Sequence, residues 1–322
     1  MRKRLASLLL ASLALSGCAS GDATELSVEY DTSGFKIHEV DPRYYDAESR
    51  VIDLEDPDTK VDENGAVISA DPQTGEPQFH PVGAAQYGLM VFASYQRERN
   101  PEYLHRAVGN AQALIDNGEE VDGALWYSYP FSFALGGEAA NTIQPPWYSG
   151  MAQGQALSLF VRLYEHDGQE KWREAAEKTF ESFFVEKRAD SPWFTLVDDG
   201  NLWFEEYAGN TDPLLVINGH NFALFGLYDY FVLTGDQRAE KFFDAGATTI
   251  LNVFDEFRVP GGVSSYCVQD QRCLDENGWP SKKYHMIHIQ QLEMLADITK
   301  EAKFDEHAEQ LREDFNDPSI PL

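Results

Sequence analysis

Positive charge is scarce in this sequence. Against 54 Asp and Glu stand only 25 Lys and Arg, which gives a formal net charge of -29 over 322 residues. A nucleic-acid-binding surface needs many cations to neutralise phosphates, so this balance excludes that class of protein. The net negative charge also repels polyanionic ligands at long range, although salt screens exposed charges beyond about 10 Å at 0.1 M.

Long apolar runs are missing as well, with one short exception at the start. Basic residues at 2–4 precede an apolar run over 5–15, which is too short to span a bilayer. Leu15-Ser16-Gly17-Cys18 then matches a bacterial lipoprotein processing site, the alternative being an ordinary signal peptide with a chance cysteine. We expect residues 1–17 to be a signal peptide and Cys18 to carry a lipid. Because Ala19 follows, we expect an anchor in the outer membrane, facing the periplasm or the cell surface.

Cysteine is rare, and only Cys267 and Cys273 remain beyond Cys18. The two have five residues between them, and in an oxidising compartment they can form a local disulfide. Such a small loop would stabilise the fold by about 2 kcal/mol on the chain-entropy model. A metal site is the alternative, but no further cysteine lies nearby. We therefore expect the disulfide.

Motifs for cofactors are also lacking. The sequence has no phosphate-binding loop and no Gly-rich dinucleotide turn after a strand. His285, His288 and Glu293 could be combined as metal ligands, but their spacing is weak. We expect neither a metal nor another cofactor.

A repeat of helical pairs is the main feature that is present. From residue 82 onward, apolar helices alternate with amphipathic ones across short polar turns, and pairs begin near Val82, Gln155, Phe222 and His288. Stacked pairs at a long period predict an all-α fold. We expect an incomplete α/α toroid of about four helical hairpins over residues 79–318, with the inner helices lining a cleft.

Residues 18–78 differ from this domain because they are acidic and rich in Asp, Pro and Gly. Alternating runs at 34–38 and 66–68 could pair as strands, and residues 62–65 have the composition of a turn. This predicts an extended arm with a β-hairpin. Two placements are open for the arm: over the cleft, or onto a second copy of the chain in a homodimer.

Three segments combine polar groups with aromatics: Pro145-Pro146-Trp147-Tyr148-Ser149-Gly150-Met151-Ala152-Gln153-Gly154-Gln155, Trp203-Phe204-Glu205-Glu206-Tyr207 and Tyr284-His285-Met286-Ile287-His288-Ile289-Gln290-Gln291-Leu292. Between the last two lie Leu215-Val216-Ile217-Asn218-Gly219 and Gly226-Leu227-Tyr228-Asp229. In order and spacing, from about Phe79 to the last helix, they resemble the C-terminal domain of the glucuronyl C5-epimerases. Those enzymes invert C5 of glucuronate in heparan-type glycans. The resemblance implies a cofactor-free epimerase acting on a heparosan-like polysaccharide.

The resemblance also implies four catalytic residues. Glu206 and Tyr207 match an acidic and a phenolic position, and Tyr266 and Tyr284 match two further active-site phenols. Inversion at C5 needs a base on one face of the sugar, an acid on the other, and donors around the carboxylate.

The surroundings of two of these residues predict opposite pKa shifts. Aromatic neighbours in sequence should desolvate Glu206 and raise its pKa, whereas Lys282 and Lys283 should lower the pKa of Tyr284. For Glu205 two interpretations are equally open: a solvent-exposed carboxylate at the start of a helix, or a functional carboxylate.

Seven residues are candidates for binding the glycan. Gln269 stands where the family usually carries an arginine, a charge that Arg272 could supply. His288 lies four residues after Tyr284, so the two would share one face of a helix and His288 could contact the substrate. The alternative is that His288 is a core histidine. Asn218 could also cap a helix, and Tyr87 could belong to the core. The full set is Tyr87, Gln153, Gln155, Asn218, Gln269, Arg272 and His288.

Three other functions remain open from the residues alone. A polysaccharide lyase would share the base and the carboxylate donors, because it forms the same enolate-like species. A glycoside hydrolase needs two carboxylic acids, and only Glu206 stands out, with Asp212 and Asp229 as distant candidates. A non-catalytic glycan-binding lipoprotein is the third alternative.

Overall fold

The computed structural model describes residues 26–47, 50–70, 75–135, 139–189, 191–268, 282–317 and 319–320. Antiparallel helical pairs dominate these ranges. They are α1 (Pro81–Glu98) with α2 (Pro101–Asn117), α3 (Gly150–Asp167) with α4 (Glu170–Glu181), and α5 (Ile217–Thr234) with α6 (Gln237–Asn252). The short α7 (Phe254–Phe257) precedes the pair of α8 (Lys282–Thr299) and α9 (Ala302–Asp314). The prediction of an all-α fold built from helical hairpins is confirmed.

Each helical hairpin turns through a residue in the left-handed conformation. The backbone N–H of that residue donates to a carbonyl in the last turn of the first helix. Glycine adopts this conformation without cost at two of the four turns. The four residues are Arg99, Gly168, Gly235 and Lys300, with φ of 57°, 68°, 69° and 59°. The predicted polar turns are therefore confirmed.

The inner ring consists of α1, α3, α5 and α8, packed in that order, and the second helix of each pair lies outside. Gly154 on α3 and Gly226 on α5 bring two inner helices into backbone contact, because a Cβ on Gly226 would collide with the backbone of Gly154. Between α1 and α8 the ring is open, and a groove of about 1210 Å³ lies there. The toroid is incomplete, as predicted.

Short antiparallel β-hairpins connect the helical pairs. They are β1 (Ser69–Ala70) with β2 (Pro77–Gln78), β3 (Glu119–Val121) with β4 (Ala124–Trp126), β5 (Phe133–Ala134) with β6 (Thr142–Ile143), and β7 (Thr195–Asp198) with β8 (Asn201–Phe204). In the last of these, Thr195 pairs with Phe204 and Asp198 with Asn201. This register fixes where β8 ends and where residues 205–207 begin.

The segment over residues 26–70 crosses the end of the ring at which the inner helices finish. His38 N–H donates to the carbonyl of Ile298 near the end of α8, and Arg43 pairs with Glu165 near the end of α3 at 2.9 Å. Tyr44 also stacks on the Phe225 ring of α5 at 4.5 Å. The arm thus closes one end of the toroid and does not cover the opposite end. A homodimer stays a prediction.

The hairpin predicted within the arm is correct only in part. Val61 bridges Val67 across a turn at 62–65, where the Asp62 carboxylate accepts from two backbone N–H groups. Residues 34–38 do not pair with 66–68, which corrects the prediction. The backbone N–H groups of Gly34 and Phe35 instead donate to the Asp244 carboxylate on α6, so a side chain takes the place of a partner strand.

No helix in the described part of the chain is long and apolar enough to cross a membrane. The signal peptide and Cys18 lie outside the described residues. Both therefore stay predictions.

Candidate active site

The chain segments that precede the inner helices meet at the open end of the toroid. Gly150, at the start of α3, donates its N–H to the carbonyl of Glu205 at 2.7 Å. Ile217, at the start of α5, donates to the carbonyl of Tyr266 at 3.1 Å. Tyr284 lies in the first turn of α8. Backbone hydrogen bonds therefore fix two segments that carry predicted catalytic residues, and α8 itself positions the third.

All four predicted catalytic residues come together here. The hydroxyls of Tyr207 and Tyr266 lie 3.1 Å apart, and Tyr266 donates to Oε1 of Glu206 at 3.2 Å. The ring of Tyr284 lies 4.6 Å from that of Tyr266 between centroids. We call Glu206, Tyr207, Tyr266 and Tyr284 the carboxyl–phenol cluster.

Glu206 is buried, and none of the described cations pairs with it. Its Oε2 is buried and accepts no hydrogen bond from the residues that the structure describes. Burial raises the pKa of Glu206 to about 8, and the nearby Glu205 carboxyl adds to the rise while hydrogen bonds from Tyr266 and Tyr207 oppose it. The predicted rise in pKa is confirmed. Gly219 provides the space, because a Cβ there would collide with the Glu206 side chain.

The pKa of Tyr284 shifts in the direction opposite to the one predicted from the sequence. Burial raises the pKa of Tyr284, and the negative charge of Glu206 raises it further. The predicted lowering by lysines is wrong because Lys282 and Lys283 are exposed, and the Lys282 ammonium lies over the ring of Phe315 at 5.3 Å. Burial also holds the pKa of Tyr266 well above its ordinary value. The phenols therefore stay protonated near neutral pH and act as donors.

Glu205, undecided from the sequence, is fully buried and faces away from solvent. Its Oε1 accepts from the N–H of Tyr207 at 2.9 Å and its Oε2 from the N–H of Leu215 at 2.9 Å. Leu215 has a φ of 58°, so its turn is held in a conformation that leucine rarely adopts. The Glu205 carboxylate joins the turn of Tyr207 to the turn that begins α5.

Aromatic rings form one wall of the site. Trp147 stacks on Tyr129 at 3.6 Å, and Phe133 stacks on Tyr207 at 5.8 Å. Burial raises the pKa of Tyr129, and the charge of Glu206 raises it further. Tyr129 and Phe133 were not among the predicted site residues, although the aromatic run at 125–129 was a signal for the first.

Three predicted glycan-binding residues make hydrogen bonds within the fold. Gln153 is fully buried and uses its amide for Tyr127 N–H, the Leu125 carbonyl and the Ser182 hydroxyl. His288 is buried against Phe257 with Nδ1 2.9 Å from the Ser264 hydroxyl, and burial lowers its pKa to about 3. The hydroxyl of Tyr87 accepts from Arg106 on the outer helix α2. These contacts engage Gln153, His288 and Tyr87 within the fold, and their roles in glycan binding stay predictions.

Two other candidates remain consistent with a polar site. Asn218 is 2% exposed, and its Oδ1 has no hydrogen-bond partner among the described residues. It does not cap α5, since the N-cap position is occupied by Val216 without a side-chain cap. Gln155 is fully buried on α3, where its amide lies beside the Tyr45 hydroxyl of the arm.

Gln269, Arg272 and Cys273 lie outside the described residues. Cys267 is 1% exposed and is disulfide-bonded. Its pairing with Cys273 stays a prediction, which a linked peptide in unreduced mass spectrometry would verify and two free thiols would refute. The described residues also contain no group of three or more His, Cys, Asp or Glu side chains that could hold a metal ion.

Comparison with known proteins places this arrangement in a family. A curated D-glucuronyl C5-epimerase of Caenorhabditis elegans is 25% identical over 219 residues, which cover 63% of this chain and 34% of that protein. This chain thus spans about a third of the length of that relative.

Two solved structures show likeness in fold alone. Cellobiose 2-epimerase from Bacillus thermoamylovorans has a TM-score of 0.52 at 14% identity, covering 74% of this chain and 61% of that chain. The Lin0763 protein from Listeria innocua has a TM-score of 0.51 at 14% identity, covering 72% and 60%. A family model, described as the D-glucuronyl C5-epimerase C-terminus, matches residues 122–313, the range that holds the whole carboxyl–phenol cluster. With most of its length matched, the chain belongs to the family of the D-glucuronyl C5-epimerase C-terminus.

Proposed function

We propose that this protein inverts C5 of D-glucuronate residues to L-iduronate within a heparosan-type glycan. The supporting observation is a buried carboxyl, paired with none of the described cations, whose pKa is raised to about 8 and which is hydrogen-bonded to a group of protonated phenols. Membership of the epimerase family gives independent support for a carbohydrate epimerase.

Glu206 is the proposed base. A general base works best when its pKa lies near the working pH, and Glu206 meets this condition whereas an ordinary carboxylate would not. Its Oε2, which has no hydrogen-bond partner in the described ranges, is the atom proposed to take the proton from C5. The carbon-bound proton lies beside the sugar carboxylate, so its removal produces an enolate-like species.

Tyr284 is the proposed acid on the opposite face. Its raised pKa keeps the hydroxyl protonated, so it can deliver a proton to C5 as Glu206 holds the one removed. Tyr207 and Tyr266 are placed to stabilise the charge that moves through the cluster by hydrogen bonding. The starts of α3 and α5 lie at the same end, and helix N-termini favour a sugar carboxylate there.

Incubation of the purified protein with a glucuronate-containing glycan in heavy water tests the proposal. An epimerase incorporates deuterium at C5 and produces iduronate signals in the NMR spectrum. A lyase instead produces an unsaturated sugar that absorbs in the ultraviolet, and a hydrolase produces new reducing ends without exchange at C5. Absence of both C5 exchange and iduronate with all glycans tried would overturn the proposal.

We propose further that Cys18 carries a lipid that anchors the protein in the cell envelope. The supporting observation is the processing site at residues 15–18 after a basic start. The variant Cys18→Ala should lose lipid labelling and membrane retention. Unchanged labelling in this variant would contradict the anchor.

A further inference from the structure

The chain segment that carries Tyr266 is attached to two of the inner helices. On one side, the N–H of Ile217 at the start of α5 donates to the carbonyl of Tyr266 at 3.1 Å. Two residues before Tyr266, Ser264 is buried and contacts α8, the helix that carries Tyr284. The contacts of Ser264 therefore join the segment of one phenol of the carboxyl–phenol cluster to the helix of another.

Ser264 is hydrogen-bonded to two histidines of α8. The N–H of Ser264 donates to Nδ1 of His285 at 2.9 Å, and its hydroxyl lies 2.9 Å from Nδ1 of both His285 and His288. All three residues are at most 1% exposed, so bulk water does not compete for these hydrogen bonds. We call Ser264, His285 and His288 the serine–histidine cluster.

The partners of each ring nitrogen fix the direction of these hydrogen bonds. Nε2 of His285 lies 2.9 Å from the carbonyl of Leu311 and 2.8 Å from that of Phe315, and carbonyls only accept, so Nε2 carries the proton. Nδ1 of His285 is then an acceptor, as donation from the N–H of Ser264 also requires. The hydroxyl of Ser264 satisfies both histidines only if it donates to His285 and accepts from Nδ1–H of His288.

This arrangement leaves His288 with one polar contact among the described residues. Its Nε2 is buried and has no hydrogen-bond partner in those ranges, and its ring lies against Phe257. Burial lowers the pKa of His288 to about 3, so the ring is neutral near pH 7 and carries a single proton. The hydroxyl of Ser264 is thus the group that orients His288, one turn after Tyr284.

A displacement of the Tyr266 segment would act directly on the carboxyl–phenol cluster. The hydroxyl of Tyr266 lies 3.1 Å from that of Tyr207 and 3.2 Å from Oε1 of Glu206. Its ring lies 4.6 Å from that of Tyr284 between centroids. Because a misplacement of about 1 Å at a reacting centre can cost ~10²-fold in rate, the attachment of this segment to α8 bears on catalysis.

We propose that Ser264 is a positioning residue, which through His285 and His288 holds the phenol of Tyr266 against that of Tyr284. The inference rests on the proposed function and adds to it a residue outside the carboxyl–phenol cluster. Since Ser264 acts through the phenols, its loss should lower turnover and leave glycan binding nearly unchanged.

Ser264→Ala removes the hydroxyl and keeps the backbone N–H that bonds His285. It should lower kcat for epimerisation by roughly 3- to 30-fold, with KM within about twofold of the wild type. Ser94→Ala is the matched control and should leave kcat unchanged. Ser94 is a fully buried serine of α1 whose hydroxyl accepts from the N–H of Ile52 on the arm at 3.1 Å and donates to the carbonyl of Met90 at 2.9 Å.

A second pair of variants keeps the test decisive if Ser264→Ala does not fold. In place of histidine, asparagine sets its amide near the position of Nδ1, and glutamine sets its amide near that of Nε2. His288→Asn therefore retains the bond to Ser264 and should retain kcat, whereas His288→Gln should lose both. Equal kcat values in these two variants would contradict the proposal.

Titration of Glu206 tests the same attachment without a glycan. Burial and the charge of Glu205 raise the pKa of Glu206. Hydrogen bonds from Tyr266 and Tyr207 oppose this rise. Ser264→Ala should weaken the bond from Tyr266 and move the midpoint of Glu206, followed by carboxyl ¹³C NMR, upward from its wild-type value, whereas the control variant should not.

The outcomes separate this inference from the proposed function. A kcat within about twofold of the wild type, a loss confined to KM, or an unchanged midpoint of Glu206 in Ser264→Ala would overturn the positioning role while the epimerase stands. If no glycan exchanges at C5, the proposed function fails. An upward midpoint then upholds the attachment of Tyr266 through Ser264, and an unchanged midpoint overturns it.

Discussion

Two buried carboxylates, at opposite ends of one toroid, have contrasting surroundings. Asp229 on α5 forms an ion pair with Arg162 on α3 and lies 3.4 Å from Arg43 of the arm. Glu206, at the open end, has only phenols as hydrogen-bond partners among the described residues. Both carboxylates are almost wholly removed from solvent, at 1% and 8% exposure.

The two surroundings suit two roles within one fold. The ion-paired Asp229 suits stability, and Glu206, hydrogen-bonded to phenols, suits proton transfer. Burial alone would lower the pKa of Arg162, but the charges of Asp229 and Asp46 outweigh it, and the guanidinium stays charged. Burial raises the pKa of Asp229, but the charges of Arg162 and Arg43 oppose this rise and favour the charged carboxylate. Glu206 has no cationic partner among the described residues, and burial raises its pKa to about 8, so both protonation states are accessible near neutral pH.

The largest expected effect comes from breaking the ion pair at the closed end. Asp229→Asn leaves the charge of Arg162 buried and uncompensated, and should lower the free energy of unfolding by about 3–5 kcal/mol. Urea unfolding, monitored by circular dichroism, measures this loss in the free energy of unfolding. Glu177→Gln, in the exposed pair with Arg173, is the control and should cost less than about 1 kcal/mol. A loss below 1 kcal/mol for Asp229→Asn would mean that the pair does not stabilise the closed end.

At the open end, removal of either proton-transfer group should affect rate more than stability. Glu206→Gln and Tyr284→Phe preserve shape, and each should lower the epimerisation rate by at least ~10²-fold, the scale of a positioned acid or base. The measurement is iduronate formation by NMR, with circular dichroism to show that both variants fold. Either variant could still exchange the C5 proton slowly without inversion.

If both Glu206→Gln and Tyr284→Phe epimerise at the wild-type rate, neither residue transfers the proton and the active site lies elsewhere. If only Tyr284→Phe stays active, Tyr207 or Tyr266 becomes the second proton-transfer group.

Glu205 lies between these two cases, because it is buried, forms no ion pair with a described residue, and accepts hydrogen bonds from backbone N–H groups. Glu205→Gln places an amide donor against the N–H of Tyr207 or Leu215, and should cost about 1–3 kcal/mol of stability. As a positioning residue it should lower kcat with little change in KM, since the turn that carries the catalytic side chains shifts. An unchanged kcat alongside reduced stability would assign Glu205 a purely structural role.

The helical scaffold followed from local signals in the sequence. Apolar helices end at residues such as Gly168 and Gly235, which take the left-handed conformation, and a polar N-cap such as Asp236 begins the next helix. The resemblance to a known family supplied Glu206 and Tyr266, and the structure brings them into contact.

The direction in which buried side chains point could not be predicted from local signals in the sequence. On inner helices nearly every position is apolar or buried, so periodicity does not show whether Gln153 or His288 faces the axis. Proximity in sequence also misled at Tyr284, because Lys282 lies only two residues away along the chain but turns toward Phe315. The arm's route depends on contacts such as Gly34 with Asp244, more than 200 residues apart, which no local pattern encodes.

The pH dependence of kcat/KM for C5 exchange tests the role of Glu206 most directly, because this ratio reports the pKa of groups in the free enzyme. A base whose pKa is raised to about 8 is mostly protonated at pH 6, so kcat/KM should rise with pH and level off above about pH 9. The raised pKa of Tyr284 keeps the acid protonated over this range, so no fall is expected below pH 10. Residual exchange by Glu206→Gln should lack the rise near pH 8. A wild-type profile that is flat from pH 6 to 9, or a Glu206→Gln profile with the same midpoint as the wild type, would contradict the assignment of Glu206 as the base.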